Sequence, residues 1–327
     1  MANTTALRLV QMAKESTWGT AVNTAIAKMM VVTNFTVDPI IVNKPIRVID
    51  GTTNPAQYNI QVARSGVATI SGLCTPEYFP YILDSGFCAP IITGAGPFVY
   101  TFTAPTIATP MVINSRTLQF YDGNQCYLSN GSVVQSFDIM GAADDVWMYN
   151  SNWIAQNVLS GSVTASLANF TATPIPTAST VIKIDAIGGT VGTTTISATL
   201  IDFKLSVNNG NHLKPFLSGN LYPAAYGKGL FSASMVLTLE AGTNGVAELA
   251  AMLAGTGRLI ELTGTNGTST VKIQFAGDYT NVAPLWGDRN GNTTLQLTLV
   301  PRYDSATFAS WLKIVCTSST ATLIANA

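Results

Sequence analysis

The chain reads twice. Lys44-Pro45 recurs as Lys214-Pro215, and the helix-start signal at Thr75 with its closing Gly86 recurs as Asn244 with Gly255, at nearly the same separation along the sequence. An Asn-Gly pair ahead of an alternating apolar run marks a hairpin. Such a pair stands at Asn130-Gly131 before Val133 to Ile139, and again at Asn290-Gly291 before Leu295 to Leu299. The order of signals is kept throughout. Two copies in 327 residues leave room for two units of ordinary domain size and no third. The units are predicted at 1–160 and 181–327, with the uncharged Ala-, Thr-, Ser- and Pro-rich segment 161–180 as connector. A duplicated domain supplies two equivalent surfaces to an assembly.

Period-two alternation dominates the second copy. Ile201, Phe203, Leu205 and Val207 alternate with Asp202, Lys204 and Ser206, and Phe231 to Leu239 alternates with Ser232, Ser234, Thr238 and Glu240. These patterns predict antiparallel strands with one apolar face. The first copy shows weaker versions at Val31 to Ile41, Ser65 to Gly72, Thr117 to Tyr121 and Val133 to Met140. Each copy also predicts one short helix. In the first, Thr75 is the cap, Pro76 the first helical residue and Gly86 the stop; in the second, Asn244 caps a stripe of Leu249, Met252 and Leu253 closed by Gly255. The fold class is therefore mainly β, one short helix to each unit.

Charged residues make up 10% of the chain, against about 25% for an ordinary soluble domain. A surface of Thr, Ser, Asn, Ala and Gly suits burial against neighbours, since few charges would be desolvated. A Thr-rich extracellular β-protein fits that composition equally well. The net charge of −1, without a run of either sign, argues against a surface that grips nucleic acid. Met1 to Trp18 has scattered charges and no apolar segment, so a secretory signal is not expected there. The uncharged stretches Ser85 to Ser115 and Val146 to Ile182 are broken by Pro and Gly, which argues against a membrane span.

Sites for chemistry are not predicted. His212 is the sole histidine, and Cys74, Cys88, Cys126 and Cys316 lack paired spacing and read as buried thiols. Asp144-Asp145 reads as a turn, and Asp288 to Asn292 lacks the closing glutamate of a calcium loop. Neither a catalytic residue nor a cofactor or metal ligand is assigned. Two long excursions, Asn43 to Ala63 and Asn208 to Gly229, stand out instead, each with a Lys-Pro near its start and rich in apolar or aromatic residues. Contact with a partner explains such content; packing on the excursion's own domain is the alternative.

Lys14-Glu15-Ser16-Thr17-Trp18-Gly19-Thr20 resembles the opening motif of the tail tube proteins of long-tailed bacteriophages, in their larger, duplicated form. Leu213-Lys214-Pro215 through Gly219-Asn220-Leu221-Tyr222-Pro223 is a second match. The resemblance implies tandem β-sandwich or half-barrel units whose sheets join into a ring around a lumen. It further implies a pseudo-hexameric ring of three chains, stacked into a virion tail tube that conducts DNA. Assembly in the host cytoplasm, tail tip and tail terminator proteins as end partners, and tape measure protein and viral DNA in the lumen follow from the same resemblance, with no membrane partner. The inter-ring contacts would lie in the excursions, at Lys44, Pro45, Ile46, Tyr58, Lys214, Pro215, Phe216, Tyr222 and Tyr226. A channel wall must let a polyanion slide, which favours small polar or acidic side chains. Thr69 and Ser71, with Ser232, Ser234, Thr238 and Glu240, fit that role, the tube exterior being the other place for them. The competing class is a secreted or surface β-sandwich adhesin that binds carbohydrate.

Overall fold

The computed structural model describes residues 8–22, 28–29, 32–49, 51, 53, 58–106, 111–164, 167, 171–197, 199–280 and 285–321. The first half holds β1 (Leu9–Lys14), β2 (Lys28–Met29), β3 (Asn34–Ile46), β4 (Tyr58–Leu73), α1 (Phe79–Asp84), β5 (Ile91–Thr93), β6 (Phe98–Thr103), β7 (Arg116–Tyr121), β8 (Cys126–Ala142), β9 (Met148–Ala155) and β10 (Asn157–Gly161). The second holds β11 (Thr180–Ala186), β12 (Thr195–Ile196), β13 (Leu200–Asn208), β14 (His212–Lys214), β15 (Ala225–Gly227), β16 (Ser232–Glu240), α2 (Thr243–Leu253), β17 (Arg258–Asn266), β18 (Ser269–Thr280), β19 (Trp286–Arg289), β20 (Asn292–Pro301) and β21 (Leu312–Ser318).

The fold is mainly β, and its antiparallel pairing is written twice. In the first half β3 pairs β4, β4 pairs β9, and β9 pairs the latter part of β8. The early part of β8 pairs β7 and β10, and β7 leads through β1 to β2. The second half repeats each step: β13 pairs β16, β16 pairs β20, and β20 pairs the end of β18. The early part of β18 pairs β17 and β21, and β17 leads through β11 to β12. β8 and β18 are thus corner strands that leave one sheet of a sandwich and enter the other, as strands at such corners do. Glycine permits both corners. Gly131 has φ +62°, and a Cβ on Gly277 would stand 2.5 Å from the Val300 carbonyl oxygen.

The halves are joined twice. β8 pairs β13 from Ser136↔Asn208 to Ala142↔Asp202, so one sheet, labelled the inner sheet to distinguish it from the β7-β8-β10 and β17-β18-β21 side, labelled outer, runs unbroken as β3-β4-β9-β8-β13-β16-β20-β18. On the outer side, the hairpin β5-β6 of the first half adds itself to β21 of the second. The apolar faces of both sheets meet in one core that includes Ile70, Phe79, Phe102, Phe137, Trp153, Phe203, Leu237, Phe275, Leu297 and Ile314. All four cysteines are buried with free thiols.

Several local expectations are corrected. Asn130-Gly131 lies inside β8 at its corner, because residues on both sides keep ladder partners; Asn290-Gly291 is a true two-residue hairpin, with φ +55° and +84°. Thr75 does not cap α1. Its carbonyl accepts from Tyr78 and Phe79 in a turn that precedes the helix, its hydroxyl has no partner among the described residues, and Pro80 rather than Pro76 occupies the first helical turn. Asn244 does not cap α2 either: Gly242 holds the cap position without a side-chain bond, and the Asn244 amide donates to Thr199 Oγ1 at 3.1 Å. Gly255, at φ +65°, follows the helix as expected. The first excursion is strand at both ends, since β3 runs to Ile46 and β4 starts at Tyr58; Pro55 and residues 50, 52, 54, 56 and 57 lie outside the described residues. Pro39 and Pro45 are tolerated in β3 because its other edge has no partner among the described residues. Parts of the connector, 165–166 and 168–170, also lie outside them.

Candidate assembly surfaces

One face of the inner sheet carries the core and the other is open. Strand parity places Thr69 and Ser71 of β4 on the open face together with Ser232, Ser234, Thr238 and Glu240 of β16. Ladder register then lines up polar rows across both halves. One runs Thr36, Thr69, Asn152, Ser136, Asn208, Ser232, and the next Asn34, Ser71, Asn150, Asp138, Ser206, Ser234. Side chains bond along the rows: Ser71 Oγ donates to Asn150 Oδ1 at 2.9 Å, and Asn152 Nδ2 to Ser136 Oγ at 3.0 Å. Asp38, Asp138, Asp202 and Glu240 stand on this face, and Lys204, which also reaches it, is held by Asp138 at 3.1 Å. The solvent face of the outer sheet differs. Lys183, Lys272 and Lys313 project there, the first two against the buried carboxylate of Glu261 at 3.5 and 3.6 Å.

The two excursions come together. Arg64 N donates to Leu221 O at 2.8 Å, and a groove forms between Val62 to Ser65 of β4 and Leu213 to Pro223 of the second half. Lys44, Pro45, Ile46 and Tyr58 lie on the distal arm of the β3-β4 hairpin, Tyr58 opposite Ile46. That arm exposes apolar side chains on both sides, among them Ile40, Ile41, Val42, Tyr58, Ile60 and Val62. Lys214 and Pro215 start a loop closed by the β14-β15 pair, whose tip exposes Phe216 and, fully, Leu217. Tyr222 is half-buried in the groove, and Tyr226 turns inward, its ring 5.9 Å from Trp18 and against Ile113, Val133 and Ile154.

Glu15, named only as part of the N-terminal motif, turns out to organise it. Buried at 5% exposure, it accepts from Gly19 N (3.0 Å) and Ser115 Oγ (2.8 Å) on one oxygen, and from Thr117 Oγ1 (2.9 Å) and Gly131 N (2.8 Å) on the other. Trp18 Nε1 donates to Gly131 O at 3.1 Å, and Asn130 Nδ2 to Gly19 O at 2.6 Å. The segment Lys14 to Thr20 is therefore a clasp on the corner of β8. Through Trp18 on Tyr226, and Gln156 Nε2 donating to Pro223 O at 3.1 Å, that corner also holds the segment Leu213 to Pro223. The two motifs, far apart in sequence, form one structure. Nothing local to Lys14-Glu15-Ser16 marks the acid as buried, because three of its four donors come from Ser115, Thr117 and Gly131.

A family model described as phage tail tube protein matches residues 5–294. The chain belongs to the phage tail tube protein family. A comparison with the curated proteins finds none that matches. This tube protein is a structural component of the phage virion tail. Among its described residues, no group of His, Cys, Asp and Glu is placed to hold a metal, and no helix is long and apolar enough to cross a membrane.

Proposed function

We propose that three copies of this tube protein close a ring of six units, 1–160 and 181–327 from each chain with 161–180 between them, and that such rings stack into the conduit for DNA ejection. The observation that carries this reading is the internal join. β8 of the first unit pairs β13 of the second, while the equivalent strands, β18 at one end of the inner sheet and β3 at the other, keep free edges among the described residues. An open edge invites pairing with another chain, and repeating the internal join between chains closes a ring without leaving one.

The repeat also supplies the register. Cys74 N donates to Trp147 O at 2.8 Å and Ala241 N to Thr293 O at 3.0 Å, which aligns β4 with β16 and β9 with β20. Thr280 then stands where Ser136 stands, and Ile40 where Asn208 stands. Because Ser136 and Asn208 are paired within the chain, Thr280 of one copy pairs Ile40 of the next. A chain carrying Ile40→Cys and Thr280→Cys should form disulfide-linked trimers on oxidation of assembled material, and neither single variant should. Assembled rings of the double variant that yield only monomers, or rings whose mass corresponds to six chains, would overturn the proposal.

The acidic and small polar open face supports its place at the lumen, where DNA and the tape measure protein pass; the lysines of the outer sheet support the opposite assignment for that side. The exposed apolar arm with Lys44, Pro45, Ile46 and Tyr58, and the groove with Lys214, Pro215, Phe216 and Tyr222, are the surfaces that meet the adjacent ring or, at the tube ends, tail tip and terminator proteins. Tyr226 anchors that loop from inside. Assembly takes place in the host cytoplasm.

A further inference from the structure

α2 is amphipathic the wrong way round for a free surface. Its one charged residue, Glu248, is buried, bonded to Arg258 Nε and Tyr279 Oη at 2.7 Å each. Beyond its first residue, the exposed Thr243, its outward residues are Val246, Ala247, Ala250 and Leu253, followed by the exposed cap residue Ala254, with Val246 52% and Leu253 77% exposed. The equivalent helix α1 exposes nothing: every residue from Phe79 to Asp84 is buried. Part of its cover comes from the other half of the chain. Glu77, ahead of α1, accepts from Ser269 Oγ and Ser318 Oγ at 3.5 and 3.2 Å, and Phe87, after it, packs its ring 5.6 Å from that of Phe231 and 6.3 Å from that of Trp311. Asn209, fully buried, lies against Gly86 at the end of α1.

The same repeat that matches Asn208 with Ile40 matches Asn209 with Ile41. Where Asn209 is covered by the segment that ends α1, Ile41 is 52% exposed, and where Gly86 follows α1 by two residues, Gly255 follows α2 by two. We infer that the outward face of α2 docks on the first half of a second copy, its Leu253 end covering Ile41, so that each contact between chains reproduces the α1 contact within a chain. This rests on the ring reading. It adds a surface that sheet pairing alone does not require. The β5-β6 hairpin, which reinforces the internal join, has no counterpart in the four residues between α2 and β17, Ala254 to Gly257, so the helix face is the apolar contact left to the join between chains.

Two measurements test it. With Cys placed at Leu253, maleimide should label the free chain quickly and assembled rings about tenfold more slowly or less, the native thiols being buried. Leu253→Glu should leave the chain folded and stop ring formation, since it puts an unpaired charge in the contact; Ile41→Lys in the same chain should restore rings. Rings formed normally by Leu253→Glu, or equal labelling in chain and ring, overturn this docking alone and leave the helix on the tube exterior for another partner. A wild-type chain that never leaves the single-chain state overturns the ring reading beneath it.

Discussion

Glu15 shows how much a single buried acid can organise. Four donors converge on one carboxylate, two of them backbone N–H groups at positions that hold the clasp to the β8 corner. Removing the acceptor strands buried donors, so Glu15→Ala should cost about 3 kcal/mol, read as a lower urea midpoint with unchanged slope. Glu15→Gln should recover only part of this, because its NH2 end meets donors. Asp185 gives the pH-dependent case. Burial pushes its carboxyl up, but bonds from the Thr193 hydroxyl and the Thr193 and Thr194 N–H groups outweigh that and hold it below the ordinary value. A depressed carboxyl contributes stability that is fully present above the unfolded pKa of about 3.9 and is lost as pH falls through the folded value. Asp185→Asn should therefore be less stable than wild type at pH 7, and the gap should narrow progressively in denaturation series taken below about pH 3.9.

At the scale of elements, strand pattern was legible and strand context was not. The alternation of Phe203 to Val207 or Met235 to Leu239 marks a half-buried strand whatever its neighbours are. Whether Asn130-Gly131 turns the chain back or bends one strand between sheets depends on which strands wait on either side, and nothing local encodes that. The helix stripe failed for a related reason. Leu249, Met252 and Leu253 read as core, yet only Met252 packs against it and Leu253 points out, since burial of Glu248 with Arg258 fixes the rotation of α2. The hairpin β5-β6 lies in the uncharged stretch Ser85 to Ser115 and has no distinct strand pattern in the sequence; its Tyr100 and Phe102 are buried against the other half of the chain. Phe102→Ala should cost about 4 kcal/mol, and the loss should appear equally in probes of both halves, in one unfolding transition. A first transition confined to residues before 160 would contradict that coupling.

For the whole molecule, the two solvent faces differ in charge: the inner sheet carries Asp38, Asp138, Asp202 and Glu240 with Lys204 held by Asp138, while on the outer sheet Lys183, Lys272 and Lys313 stand around the buried acid Glu261. Replacing Ser234 and Thr238 with Lys adds positive charge to the face proposed as channel wall, without touching the core face of β16. Particles carrying both lysines should assemble normally and eject DNA more slowly, most clearly at low salt, where screening is weakest. Normal ejection at low salt would move this face to the exterior.

Sequence alone carried the repeated order of signals, the β class and the polar strand faces, because period, spacing and composition are local quantities that survive in a one-dimensional string. It also carried the motifs of the tube family, though not the reason for them. Tertiary structure decided what the copies do to each other: that β8 pairs β13, that the motif at Glu15 and the loop at Tyr226 share one corner, and that α1 is covered while α2 is bare. Those outcomes depend on contacts between residues a hundred or more positions apart, such as Glu15 with Gly131. A pattern that specifies which face of a strand is buried does not specify which partner buries it.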